Sequence, residues 1–167
     1  MNTLALKKTV VYWQVKETLL VLAFSIIAPF FIHLIPSSGI LPWGARLLPM
    51  FYAPIVAVVL LKPYTPFAIS LLSPVLKYVI TGHPVLEKVF PLSAELLIFS
   101  LCLYILQRMK KGMRYAAVWA YCITVLITQR LFFQTLFISL PGIAALLLLN
   151  VILVKNKRRL TDGNGQP

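Results

Sequence analysis

Apolar residues along the chain gather into six runs, roughly 18–35, 47–61, 66–80, 89–107, 115–133 and 136–154, parted by short polar stretches. Four of the runs hold 18 or 19 residues. A helix needs about 20 to cross a hydrocarbon core of about 30 Å. The second and third runs are shorter, at 15 residues each, and carry Pro49, Pro54 and Pro74. Proline-interrupted spans of that length predict tilted or partly unwound helices whose free backbone groups find partners inside the protein. The pattern predicts an all-α integral membrane protein. Its six transmembrane helices form one compact bundle over residues 1–160, followed by a disordered tail, 161–167.

The polar stretches set the orientation. With the N-terminus inside, the cytoplasmic flanks hold Lys7, Lys8, Lys16, Lys62, Arg108, Lys110, Lys111, Arg114, Lys155, Lys157, Arg158 and Arg159. Only Arg46, Lys77, Lys88 and Arg130 of the 16 basic residues are left outside. The positive-inside rule therefore places both termini in the cytoplasm. Tyr12 and Trp13 fall at the inner interface and Trp43 at the outer one, as an aromatic belt requires. The outer loops read SSGILPWGAR and TGHPVLEK, the latter carrying the turn residues Thr81 to Pro84. The first run follows Lys7, Lys8 and Lys16 as a signal peptide would. It is long, and the HLIPSSG after it lacks a small-x-small cleavage site, so it reads as a retained first span.

Composition narrows the class. The chain is 60% hydrophobic and 12% charged, with a mean hydropathy of +0.89, whereas a soluble domain averages about 25% charged residues. The net charge of +12 would suggest nucleic acid in a soluble protein; here it marks a side of the bilayer, and no nucleic-acid partner is expected. Cys102 and Cys122 lie in apolar runs without further ligands at metal spacing. No nucleophile–histidine pair, metal cluster or phosphate-binding glycine loop appears, so neither an enzyme nor a cofactor is expected. His33 and His83 fall at outer helix ends, as interfacial hydrogen-bonding residues do.

What remains is a polar constellation in the outer half of the bilayer. Ser70, Ser73, Lys77 and Thr81 recur every three or four residues and so share one helix face. Polar residues within spans turn toward the protein interior or a watery cavity. Lys77 lies about 6 Å below Thr81, a depth from which its long side chain can also snorkel to the outer surface, and Glu95 about 9 Å into the fourth run. Gln129 and Arg130 close the fifth run at the same side, and Arg46 opens the second behind Trp43. Two readings follow: an internal ion pair of Glu95 with Lys77 or Arg130, or a pocket whose surplus positive charge suits a carboxylate or phosphate. The candidate binding residues are Trp43, Arg46, Ser73, Lys77, His83, Glu95, Gln129 and Arg130.

Six short helices, a substantial first outer loop and outer-half polar residues resemble the substrate-binding S components of energy-coupling factor (ECF) vitamin transporters. The residues that carry the likeness are GARLLPMFYAPIVAVVLLKP (44–63) and PFAISLLSPVLKYVITGHP (66–84), which join a proline-containing second span to a short third one through a tight inner turn. The resemblance implies a multi-pass subunit of a prokaryotic cytoplasmic membrane that captures a small, vitamin-like solute at the outer face. It implies SSGILPWGAR as a lid over the pocket. Partners would be a transmembrane coupling subunit, met through small residues of the first helix (here Ala23, Ser25 and Ala28), and two cytoplasmic ATPases. The alternative is a non-transporting scaffold of the rod-shape-determining type, docking partners or anionic lipid through the basic loop QRMKKGMR.

Overall fold

The computed structural model describes residues 3–34, 43–82, 84–109, 114–129 and 132–163, and within them all regular structure is helical. In chain order the helices are α1 (Thr3–His33), α2 (Trp43–Leu47), α3 (Tyr52–Leu60), α4 (Thr65–Thr81), α5 (Leu86–Arg108), α6 (Ala116–Thr128), α7 (Phe132–Ile138) and α8 (Leu140–Gly163). A 3₁₀ turn, Pro49–Phe51, leads into α3. Three helices are long and apolar enough to cross a membrane, through Val15–Ile32, Leu86–Arg108 and Leu140–Lys157. That fits a membrane protein, and so does the outer surface. Leu19, Phe31, Val79, Ile80, Phe90, Leu126, Ile127 and Leu148 are exposed, while Ser25, Ser70, Ser73, Ser100, Thr124 and Asn150 are buried. Water would favour the reverse.

Each apolar run contains a helix, but the boundaries move for local reasons. The second run breaks at Leu48, so regular α-helix is confined to the nine residues of α3. The third run is longer than expected, at 17 residues, because Pro66 falls in the first turn, where its missing N–H costs nothing. Gly82 then ends α4 in the left-handed conformation, φ 69°, with its N–H on the Tyr78 carbonyl. The fifth run yields only the 13 residues of α6, followed by an extended Gln129. Thr124 and Thr128 donate to the carbonyls of Ala120 and Thr124, a back-bonding that bends helices. The first three residues of the disordered tail expected over 161–167 are helical, because α8 continues to Gly163; the KNKRRL before them is made mostly of good helix formers.

The interior is organised around α3, whose Ala53, Pro54, Ile55, Ala57 and Val59 are all buried. On one side Phe51, Ile55 and Val59 pack with Leu96, Phe99 and Leu103 of α5, Ala117, Ala120 and Tyr121 of α6, and Leu146 of α8. On the other, Ala53 and Ala57 meet Leu22 of α1 and Ile69 of α4. The alanines let the helix axes approach closely, which is what stabilises association where lipid is as apolar as the contact. At the centre the Phe51 ring stands edge-on to Phe99, at 4.9 Å between centroids, and to Tyr121, at 5.3 Å.

Polar side chains tie the same helices together. The Ser70 and Ser100 hydroxyls lie 2.6 Å apart between α4 and α5. Gln107 donates to Asn150 Oδ1 at 2.8 Å, and Asn150 Nδ2 donates to the Arg114 carbonyl at 2.9 Å. Lys157 on α8 donates to the Val59 carbonyl at 2.6 Å, so a cation caps an open carbonyl at the C-terminal end of α3. Among the described residues every fully buried side-chain nitrogen and oxygen has a partner. Replacing Asn150 by alanine leaves Gln107 and the Arg114 carbonyl without theirs. The expected loss is on the order of 1–2 kcal/mol of unfolding free energy, read by detergent titration in mixed micelles. Asn156→Ala, at an exposed position of the same helix, should fall within about 0.5 kcal/mol of the parent.

Candidate functional site

The wall of the site begins with the break in the second apolar run. Leu48 has φ 54° and ψ 44°, the left-handed region, which costs a non-glycine residue roughly 1–2 kcal/mol. Its conformation turns the chain from α2 into the 3₁₀ turn, and Pro49 supplies the fixed φ that opens that turn. Two contacts hold the reversal. The Tyr52 hydroxyl donates to the Leu47 carbonyl, and Gly142 of α8 lies against the same backbone. A Cβ at Gly142 would come within 2.5 Å of the Arg46 carbonyl oxygen and 2.8 Å of Leu48 Cγ. No other residue type lets α8 approach this closely.

The opposite wall comes from α6 to α8. Pro141 cannot donate a helical hydrogen bond, and regular helix is interrupted at Ser139, between α7 and α8. Ser139 ties this junction together: its hydroxyl donates to the Thr135 carbonyl at 2.7 Å and accepts from Tyr121 Oη at 3.0 Å. Tyr121 is thereby fixed to α7 by its hydroxyl and to Phe51 by its ring.

Between these walls lies a cavity of about 470 Å³, within the roughly 300–1,000 Å³ typical of small-molecule sites. Gly44, Leu48, Pro49, Met50 and Phe51 form one side; Lys77 comes from α4, Leu92 and Glu95 from α5, Tyr121 from α6, and Thr135, Ile138 and Ser139 from the α7–α8 junction. Gln129, just past α6, also lines it and hydrogen-bonds the Glu95 carboxylate, with its amide N–H as the donor. The lining is mostly apolar, with a few polar groups reaching in from different helices. A site of this composition can orient a small molecule by its polar ends.

The expected residues divide clearly. Lys77, Glu95 and Gln129, read from three separate runs, meet in the cavity. Of the two partners considered for Glu95, Lys77 forms no ion pair with it, and Arg130 lies outside the described residues. Arg46 turns its guanidinium over the Trp43 ring, 5.6 Å from the centroid. It borders a neighbouring concavity with Phe137, Ile138, Leu140 and Pro141. Ser73 is buried on α4 outside the cavity lining. His83 and Arg130 lie outside the described residues, as does most of the expected lid. On α1, Ala23 is exposed, Ala28 is half-buried, and Ser25 is buried with its hydroxyl on the Leu22 carbonyl. Ser25 therefore does not share an outer face with Ala23.

Sequence reasoning missed the 3₁₀ turn, Thr135 and Ser139 as parts of the site. The signals were present: LLP at 47–49 and SLPG at 139–142 each place a proline where an apolar run would otherwise continue as helix. No protein-family model, curated protein or solved structure matches the chain. Among the described residues no three or more His, Cys, Asp or Glu side chains gather as a metal site would require.

Gly142→Ala tests how this wall is built. The added methyl meets the Arg46–Leu47 backbone and must push α2 from α8, so a loss of about 1–3 kcal/mol is expected, with Leu48 displaced from the cavity. Thermal unfolding in detergent measures the first effect. Gly82→Ala, where a Cβ meets open space but φ is positive, should cost only about 1 kcal/mol.

Proposed function

We propose that the chain is a membrane-embedded solute-binding subunit of an ECF-type importer, with six crossings and both termini in the cytoplasm of a prokaryote. It captures a small solute at the outer face, for uptake driven by separate ATPase subunits through a transmembrane coupling subunit. The observation that carries the binding role is the cavity, because it brings Lys77, Glu95 and Gln129 from separate helices against an apolar wall. Its position is consistent with outer access. Lys77 stands one turn before the end of α4, Gln129 directly follows α6, and Gly44 opens the chain toward α3. All three belong to the end of the bundle opposite Arg108, the last residue of α5. The ECF assignment adds the partners and rests on the resemblance in residues 44–63 and 66–84.

Lys77 acts in this reading as the side chain that holds the solute's anionic group. Its ammonium is compact, with three donors, and lies in a setting where charge attraction is weakly screened. Glu95, held by Gln129, faces the same space. Native mass spectrometry of gently extracted protein should find a small molecule bound to the wild type. Lys77→Met should lose it while keeping the parent melting temperature. A wild-type protein that retains no small molecule but co-purifies with a cell-envelope partner would sink the reading in favour of a scaffold.

The topology is tested separately. With Cys102 and Cys122 replaced by alanine, a cysteine at Ser38 should react with a membrane-impermeant maleimide in intact cells. One at Lys111 should react only after lysis. Equal labelling at both sites contradicts the six-span arrangement.

A further inference from the structure

Among the described residues the cavity wall carries one cation, Lys77, and one carboxylate, Glu95. They sit on adjacent antiparallel helices, α4 and α5, which pack directly through Ser70 and Ser100. In a medium of low dielectric, opposite charges that can reach each other gain strongly by pairing. These two do not: Glu95 takes the Gln129 amide, and no ion pair joins it to Lys77. Arg46 adds no positive charge here, because its guanidinium lies over Trp43 beside the neighbouring concavity. The surplus of positive charge that would favour a purely anionic solute is therefore not present in the described lining. Two separated charges of opposite sign are.

Resting on the reading that this cavity binds a solute, we infer that the solute is a zwitterion of the amino-acid type. Its carboxylate meets the Lys77 ammonium, its ammonium meets the Glu95 carboxylate that Gln129 orients, and its apolar body lies against Phe51, Leu92 and Ile138. A ligand with both groups satisfies both wall charges at once. A ligand with one of them leaves the other wall charge unpaired, which costs more than the missing contact alone.

Calorimetric titration of the protein in lipid nanodiscs tests this with matched probes. L-Tryptophan, L-phenylalanine and L-methionine are each compared with the acid lacking the amine and the amine lacking the carboxylate (for tryptophan, indole-3-propionate and tryptamine). At least one amino acid should bind about tenfold or more tighter than both of its partners. Lys77→Met should erase the preference over the amine, and Glu95→Gln the preference over the acid. An acid that binds as tightly as its parent amino acid overturns the zwitterion and leaves the solute-binding reading standing. Failure of every probe to titrate against the wild type also overturns it, and the solute-binding reading then stands or falls on the retained small molecule seen by native mass spectrometry.

Discussion

The nine residues of α3 span about 14 Å, less than half of a hydrocarbon core. A helix that short, alone in lipid, leaves its terminal N–H and C=O groups unpaired at a depth without water. Everything around α3 answers that constraint. Its sides are enclosed by α1, α4, α5, α6 and α8, which is why alanine and valine, not large side chains, occupy most of its buried positions. Toward its C-terminal end Lys157 caps the Val59 carbonyl. Its N-terminal end is extended by the 3₁₀ turn and by α2, which continue the chain in a new direction after the left-handed Leu48. That change of direction leaves the space in which the cavity forms.

The cavity is thus a consequence of an interrupted helix. Continuing α3 toward residue 47 as regular helix, as its apolar pattern invites, would remove the chain reversal that brings Gly44, Leu48 and Pro49 to the cavity wall. The left-handed Leu48 prevents this, at a cost of roughly 1–2 kcal/mol, and packing against Gly142 and the Tyr52 hydroxyl offsets it. Backbone strain concentrated at a ligand-sized cavity is a recurrent feature of functional sites. The helix break at Ser139 lies on the other wall, held by the hydroxyl of Tyr121.

Hydrophobic spacing was enough to place a helix in each apolar run, because apolar runs separated by turn residues and basic clusters need little tertiary context. It also brought out Lys77, Glu95 and Gln129, since ionisable or amide groups inside apolar runs are costly wherever they lie. It failed where helix ends depend on partners. Nothing local to Thr128 announces that α6 stops there, and Gly142 looks like any small residue until α2 is laid against it. The absent ion pair was equally hidden: Lys77 and Glu95 fall at compatible depths, but side-chain direction decides whether they meet. Arg46 shows the same limit, being at the expected end of the bundle and turned to Trp43.

Polar groups in this protein therefore fall into two populations. Ser70 with Ser100, Asn150 with Gln107, and Tyr121 with Ser139 satisfy one another and join helices. Such pairs are complete, and a solute has nothing to offer them. Lys77 and Glu95 differ, because each presents a charge to a shared space without neutralising the other. If their role were to hold α4 against α5, direct pairing would serve better, and the serines already supply that link. Keeping the charges apart stabilises nothing within the chain, so it makes physical sense where a third body completes the arrangement. Among the described residues, that incompleteness is what separates the candidate site from the framework that shapes it.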